Sequence, residues 1–504
     1  MRKQSTYVGI LLALCQTVGM VGVPLFFAAD KAVGATTALD TAGEASVLND
    51  PMARQAAIEA AREAAEPPPA RAARNEDVMG RPGGNTSLLP EDNLKEANDE
   101  GLFGMRRGVI HPYVTVGAEY TDNLYNLDKD RISSMSFSFT PGIWLSLPGK
   151  QQIPVTLAPN NPSAGGYQYE MANYERVDRM QFFLLGELNY RIYSEDSNLS
   201  EMLYRVQGLA RYNFPSGLSL QVLDAYTHGQ DRFEIGRPDS RLNHVFDSNS
   251  LMGTVDWLMT EKFQARADVS LFTLRYDERE FDPMERDDLA FDLHLYYHYS
   301  ERTAFYLEYK YIDTSYNSNT LYDSTSNEYY VGVAWDATDK LSFRLRIGFR
   351  NKFYDNSQLR DWSGMIFGLQ SALRVSDKSR FSGEIYRNNE ETDVFTAADR
   401  IMTGAALGYD LDLTEKISFG ARARYEYADY RRRDGYSYYP NPINEEEFTR
   451  ERRDVRWIIS GQINYLFTEW LRADIGYRYE NRDSTIGIYN YYSNTIFADV
   501  RVAF

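Results

Sequence analysis

The chain has 504 residues, a formal charge of −18 and one cysteine, Cys15. That charge excludes nucleic acid as a partner, because phosphate binding needs a basic surface, and a single cysteine excludes an internal disulfide. A mean hydropathy of −0.50 excludes a bundle of membrane helices, each of which needs about 20 consecutive apolar residues. It does not exclude a transmembrane barrel, where every second strand residue is polar.

Arg2 and Lys3 precede a mostly apolar run from Val8 to Phe27. A charged start and an apolar middle are the marks of a secretory signal. Small residues at Val33-Gly34-Ala35 place cleavage after Ala35, with Ala38 also acceptable and an uncleaved anchor as the competing reading. Cys15 follows Leu14, which is not small, so it reads as an apolar residue of the signal and not as a lipidation site. Residues 36–108 are rich in Ala, Pro, Glu and Arg and nearly lack aromatics. Residues 52–65 suit a short helix that Pro67-Pro68-Pro69 ends. The segment buries too little apolar area to offset its ordering entropy, which predicts a disordered periplasmic leader; a partner-binding arm is the alternative.

From Val109 onward the pattern is a strand, a polar loop and another strand, repeated to Phe504. Val114, Val116, Ala118 and Tyr120 alternate with Thr115, Gly117 and Glu119, the period of two that marks a strand with one apolar face. The predicted strands span 109–120, 134–147, 179–193, 200–214, 217–228, 245–258, 261–276, 288–299, 303–315, 327–337, 340–353, 361–374, 379–392, 400–412, 416–430, 453–467, 470–482 and 491–504. Joints after even strands are mostly short, such as Phe214-Pro215-Ser216-Gly217 and Thr414-Glu415. Joints after odd strands are longer and polar, such as Gly229–Asn243 and Asp277–Asp287. Outer-membrane barrels have short periplasmic turns, longer outer loops and an even strand count. The expected fold is therefore all-β: a transmembrane antiparallel up-and-down β-barrel of about 18 strands over 109–504, after a signal peptide (1–35) and a disordered leader (36–108). The parity puts both barrel ends in the periplasm.

The faces follow from the cost of charge in lipid. Leu341, Phe343, Leu345, Ile347 and Phe349 alternate with Ser342, Arg344, Arg346, Gly348 and Arg350. An Arg at the midplane of a lipid face costs about 2–4 kcal/mol, so these arginines are assigned to a wet lumen. Arg422, Arg424 and Glu426, and Arg472, Asp474, Arg478 and Glu480, are assigned there by the same alternation. Both signs of charge occur, which fits either a self-neutralising ladder of ion pairs or a charged constriction that selects solutes. Asp224 falls on an apolar face, which predicts a place near the outer rim or a bulge. The 38 Tyr residues suit girdles at the membrane interfaces, or a lumen that stacks sugars. Two segments have the length to fill the lumen. One is the joint Pro148–Asp178, where a short turn is expected. The other is Arg431–Arg452, with Arg431, Arg432 and Arg433, the aromatics Tyr436, Tyr438 and Tyr439, and the acids Glu445, Glu446 and Glu447. Such a loop either folds inward as a plug or lies outside as a lid.

Five histidines are present: His111, His228, His244, His294 and His298. His294 and His298 share a strand face, but four positions separate them by about 13 Å at roughly 3.4 Å per residue. That is too far to share one zinc ion with ligands at about 2 Å, and they read as polar residues of the lumen or rim. No G-x-S-x-G and no H-E-x-x-H occurs. No catalytic residue, metal or cofactor is expected, and the chain is not expected to be an enzyme.

Residues Pro112-Tyr113, Gly117 and Glu119 to Tyr125, then Thr140-Pro141-Gly142-Ile143 and Leu145 to Gly149, carry a resemblance. They resemble the putative β-barrel porin 2 family, whose Tyr- and Arg-rich strand style extends over about 109–504. The resemblance implies a barrel in the outer membrane of a Gram-negative bacterium, in contact with outer-membrane lipids. A C-terminal Phe such as Phe504 implies assembly by the barrel-assembly machinery. Some relatives are associated with exopolysaccharide export, which implies polysaccharide cargo and a periplasmic polysaccharide-export protein as partner. A general diffusion porin for small solutes and a closed surface structural or adhesive barrel are the alternatives. The resemblance supplies no binding or catalytic residues to carry over.

Overall fold

The computed structural model describes residues 109–147, 161–166, 179–231, 244–318, 320–392, 397–432, 451–468 and 470–504. The expected signal and leader, and Arg433, Tyr436, Tyr438, Tyr439, Glu445, Glu446 and Glu447, lie outside them. The strands are β1 (Ile110–Thr121), β2 (Ser134–Leu147), β3 (Met180–Tyr193), β4 (Glu201–Asn213), β5 (Leu218–Asp231), β6 (His244–Leu258), β7 (Phe263–Tyr276), β8 (Arg286–Ser300) and β9 (Thr303–Tyr316). They continue with β10 (Ser324–Thr338), β11 (Leu341–Tyr354), β12 (Trp362–Ser376), β13 (Ser379–Glu390), β14 (Ala397–Asp412), β15 (Ile417–Arg432), β16 (Arg453–Thr468), β17 (Leu471–Ser484) and β18 (Tyr491–Ala503).

Each strand pairs antiparallel with the next, and β18 returns to β1 in register from Tyr113↔Ala503 to Thr121↔Thr495. The sheet closes on itself and leaves no edge to template aggregation. Even-to-odd joints are two or four residues long, except the joint after β2, and odd-to-even joints are longer. One end of the barrel is thus a short-turn end, where β1 starts and β18 stops, and the other is a long-loop end.

The alternation of the sequence becomes two chemical surfaces. Val116, Phe137, Leu188, Val206, Leu293, Leu307, Val331 and Ile347 point outward and are exposed, while Arg205, Gln207, Arg266, Glu308, Arg350 and Glu480 on the other face are buried. Outward aromatic pairs form girdles. Trp335 and Phe343 (5.8 Å), Phe263 and Tyr297 (5.3 Å), and Phe381 and Tyr409 (4.5 Å) sit toward the short-turn end; Tyr425 and Trp457 (4.8 Å) sit toward the long loops. Ile347 lies mid-strand on the outward face of β11, so Ile347→Arg is expected to cost about 2–4 kcal/mol in urea unfolding from lipid vesicles. Asn351→Arg, nearer the rim, is expected to cost about 0–1 kcal/mol. Equal costs at the two depths would contradict a bilayer around this wall.

Inward tyrosines are laid against the wall. Tyr306 faces Gly332 and Tyr386 faces Gly404 across adjacent strands. A Cβ on either glycine would strike the ring, so the missing side chain is what lets the ring lie flat. Tyr306, Tyr330 and Tyr386 are nearly fully buried, and their rings offer no open face for sugar stacking.

Asp224 departs from expectation. It pairs with Gly208 and Leu251 in unbroken register, so no bulge marks it, and it sits mid-strand on the outward face of β5. The polar rim dips there instead. Asn249 hydrogen-bonds Asp224, and just above it Tyr226 donates to Asp247 at 2.6 Å while the His228 ring lies 2.8 Å from the same carboxylate oxygen. The apolar part of β5 is only Leu218, Leu220 and Val222 on this face, which a count of strand length alone does not show.

Candidate functional site: the lumen and its inward segment

The joint between β2 and β3 leaves and returns at the short-turn end, yet residues 161–166 lie against the wall at the opposite end of the lumen. Arg286, the first residue of β8, donates through Nη2 to the carbonyls of Asn161 and, at 3.1 Å, Ser163. The Gly165 amide donates to Asp288 Oδ2 at 2.8 Å, and the Glu391 amide donates to the Pro162 carbonyl at 2.8 Å. Gly165 and Gly166 hold φ of +79° and +72°, a region open to glycine at little cost. Side chains there would also meet Ala290 and the Phe272 ring. All six residues are buried. The wall residues they touch, on β6, β7, β8 and β9, belong to the inward face. This stretch therefore lies inside the barrel against the inward wall, the position of a candidate plug, and is held mainly through its backbone.

The anchors are themselves braced. Arg286 pairs with Asp288 at 3.2 Å, with side chains 4% and 0% exposed. Glu391 receives an ion pair from Lys352 and a hydrogen bond from Tyr316 at 2.8 Å. Burial by itself raises the Glu391 carboxyl's pKa, but Lys352, Arg286 and Arg350 around it bring it below the usual glutamate range.

The charged residues assigned from sequence lie on the inward face of β11, β15 and β17, and most are paired. Arg346 reaches Glu308 at 3.3 Å and Arg350 reaches Glu328 at 3.3 Å. Arg422 pairs with Asp410 at 3.0 Å, and Arg472 pairs with Asp474. Arg424 lies 4.0 Å from Glu426, while Arg456 lies 3.5 Å from Glu426 and 2.7 Å from Glu480. Arg344 stands opposite Ala334 and Gln370, and Arg478 opposite Ser460 and Thr495. Inward tyrosines complete the pattern: Tyr330 donates to Glu328, Tyr354 to Asp399, Tyr386 to Glu426 and Tyr491 to Glu480. Each of these carboxylates thus bridges a phenol and an arginine, which satisfies buried charge on both sides.

The second candidate plug is described only at its ends. Arg431 pairs with Asp399 at 3.0 Å and donates to the Arg360 carbonyl at 2.6 Å; Arg432 closes β15 opposite Ala397. Arg452 pairs with Asp454 at 2.6 Å and lies over the rings of Tyr489 and Tyr430. Burial lowers the pKa of this guanidinium, but Asp454 and the two phenols more than offset that and raise it. Sequence reasoning missed Arg286, Asp288, Lys352 and Glu391. The visible signal was the Asn161-Pro162-Ser163-Ala164-Gly165-Gly166 turn inside an overlong joint.

A family model described as "Putative beta-barrel porin 2" matches residues 181–504. The chain belongs to this family. The matched part of the porin starts at β3; the stretch 109–149 that carries the motif resemblance precedes it and supplies the two strands that close the wall. Among solved structures the porin is similar to OccK2 (OpdF) of Pseudomonas aeruginosa, at 9% identity over 78% of this chain and 98% of that one, with a TM-score of 0.42. It is also similar to Pseudomonas aeruginosa OpdO, at 11% identity over 79% and 97% with a TM-score of 0.39. Acinetobacter baumannii OccAB4 matches at 10% identity over 79% and 99%, also with a TM-score of 0.39. No curated protein matches the chain.

Proposed function

We propose that this porin is a gated passage for hydrophilic cargo across the outer membrane, with its short-turn end in the periplasm. Its cargo is exopolysaccharide handed over by a periplasmic partner. The observation that supports gating is the 161–166 plug, held by Arg286, Asp288 and Glu391. An 18-stranded barrel has a lumen wide enough for an aqueous channel, and a channel that wide would leak if left open. A plug with buried, braced anchors serves a conduit that opens only when cargo arrives. The association of some family relatives with polymer export supports the choice of cargo; the buried inward tyrosines lend it nothing.

Two measurements test this. In a planar bilayer the wild-type chain is expected to stay mostly closed; a large, steady conductance would return the reading to a general diffusion porin. In a strain lacking the chain, surface polysaccharide is expected to fall while the periplasmic pool rises. If both pools stay unchanged, polysaccharide is the wrong cargo, even where gating holds.

A further inference from the structure

Charge is segregated inside the barrel. The inward faces of β11, β12 and β13 carry Arg344, Arg346, Arg350, Lys352, Arg374 and Arg380 against only Glu384 and Glu390. Across the lumen, at the short-turn end of β2 to β6, the inward residues Trp144, Phe183, Leu209, Leu223 and Met252 form an apolar cluster. The basic arc continues on β15 and β17. Arg422 stands opposite Ser460, which stands opposite Arg478, so the two arginines are about 10 Å apart at roughly 4.8 Å per strand. Arg424 lies two positions from Arg422, about 7 Å along the strand.

The ion pairs of this arc do not offer both signs equally to the lumen. Arg346 is 21% exposed and its partner Glu308 2%; Arg424 is 19% exposed and Glu426 2%. Arg456 is likewise more exposed than Glu426 and Glu480. Tyr386 and Tyr491 donate to those two carboxylates and help hold them against the wall, so the guanidiniums are what the lumen water meets. Arg374 and Arg478 make no hydrogen bond or ion pair with any described residue. Arg374 also stands directly opposite Arg380, a like-charge placement that destabilises a sheet and that an anion between them would relieve.

We propose that this arc binds a polyanionic sugar chain, one that bears carboxylate groups along its length, below the 161–166 plug. The inference rests on the polysaccharide reading of the cargo and names its class. Guanidiniums spread over several strands suit a chain with repeated charges better than one small anion. Room beside them comes from small neighbours: Gly368 faces Arg346, Ala406 faces Arg424 and Gly408 faces Arg422. Gln370, Ser382 and Ser460 stand among them and offer hydrogen-bonding groups to sugar hydroxyls. Single-stranded nucleic acid would need aromatic faces to stack on, and Tyr306, Tyr330 and Tyr386 are buried. The whole chain carries −18, so the arc opposes the sign of the rest of the molecule and draws anions inward.

The test is calorimetric titration of the full chain in neutral detergent, with an oligogalacturonate and with a malto-oligosaccharide of equal length. The oligogalacturonate is expected to bind, more weakly as salt is raised, and the neutral chain is expected not to. Arg374→Gln and Arg478→Gln should each weaken binding by about 2–5-fold, and neither change leaves a carboxylate without its partner. Lys262→Gln, in an exposed turn, should change nothing. Heat-modifiable gel mobility confirms that each variant has assembled, and the same titration on Arg286→Ala covers a wild type too tightly closed to admit the oligomer. Equal binding of the two oligomers would overturn the proposal. So would no binding of the charged one to wild type and Arg286→Ala, or binding that both arginine variants leave unchanged. Failure of the export reading looks different: a deletion strain with unchanged polymer pools would sink export and leave the measured binding standing. Polymer held in the periplasm of that strain, with no oligogalacturonate binding, would sink this inference and leave a neutral polymer as the cargo.

Discussion

Arg286→Ala is expected to convert a mostly closed barrel into one with a steady conductance, and to destabilise it. The Arg286 guanidinium holds the Asn161 and Ser163 carbonyls, pairs with Asp288 and lies over the Phe272 ring at 5.0 Å. Truncation removes two anchors of the plug and leaves the fully buried Asp288 carboxylate facing only the Gly165 amide. Breaking a buried pair by deleting one partner costs about 3–5 kcal/mol, most of it from the uncompensated charge left behind. The double variant Arg286→Ala/Asp288→Ala separates the two effects. It removes both charges, so urea unfolding should recover much of the lost stability, while the plug loses three of its hydrogen bonds and the conductance should stay high. If Arg286→Ala conducts like wild type, residues 161–166 do not close the lumen.

Lys352→Met is expected to cost about as much, roughly 3–5 kcal/mol, because Lys352 and Glu391 are 0% and 1% exposed. Its second effect is on pH dependence. The folded Glu391 pKa lies below its ordinary value of 4.5, because Lys352, Arg286 and Arg350 outweigh burial. A carboxyl lowered on folding contributes stability that is fully present above its unfolded value and is lost as the pH falls through the folded one. The wild-type plug should therefore hold at neutral pH and loosen below the ordinary glutamate range. Without Lys352 the folded pKa rises, so loosening should begin at higher pH. Glu391→Gln, which has no proton to gain, should flatten this part of the acid response. Conductance measured between neutral and acid pH for the three proteins checks the order. A wild type and a Lys352→Met variant that open at the same pH would show that the Glu391 carboxylate does not govern how its backbone amide holds the Pro162 carbonyl.

The sequence alone determined the wall. Strand count, faces and the parity of the joints were legible because each rests on local information: a period of two along the strand, the cost of charge in lipid, and the length of the next turn. The eighteen spans expected from alternation differ from the observed ones by a few residues at most, and Arg344, Arg346, Arg350, Arg422 and Arg472 lie on the face opposite the apolar one. Asp224 shows where that method stops, since the height of the apolar belt around the barrel depends on strand tilt and on neighbours such as Asn249.

Only the tertiary structure decided what occupies the lumen. That the joint after β2 carries residues 161–166 to the far end depends on where Arg286, Asp288 and Glu391 stand in the closed barrel, and those residues are more than a hundred positions away in the chain. The same holds for lumen pairs between strands, such as Arg346 with Glu308 and Arg456 with Glu480. Cross-strand register brings together side chains that no spacing along one strand connects. A charged residue's face can be read from its own strand, as can a partner two positions along it, such as Asp474 for Arg472; a partner such as Glu308 for Arg346 is set by other strands.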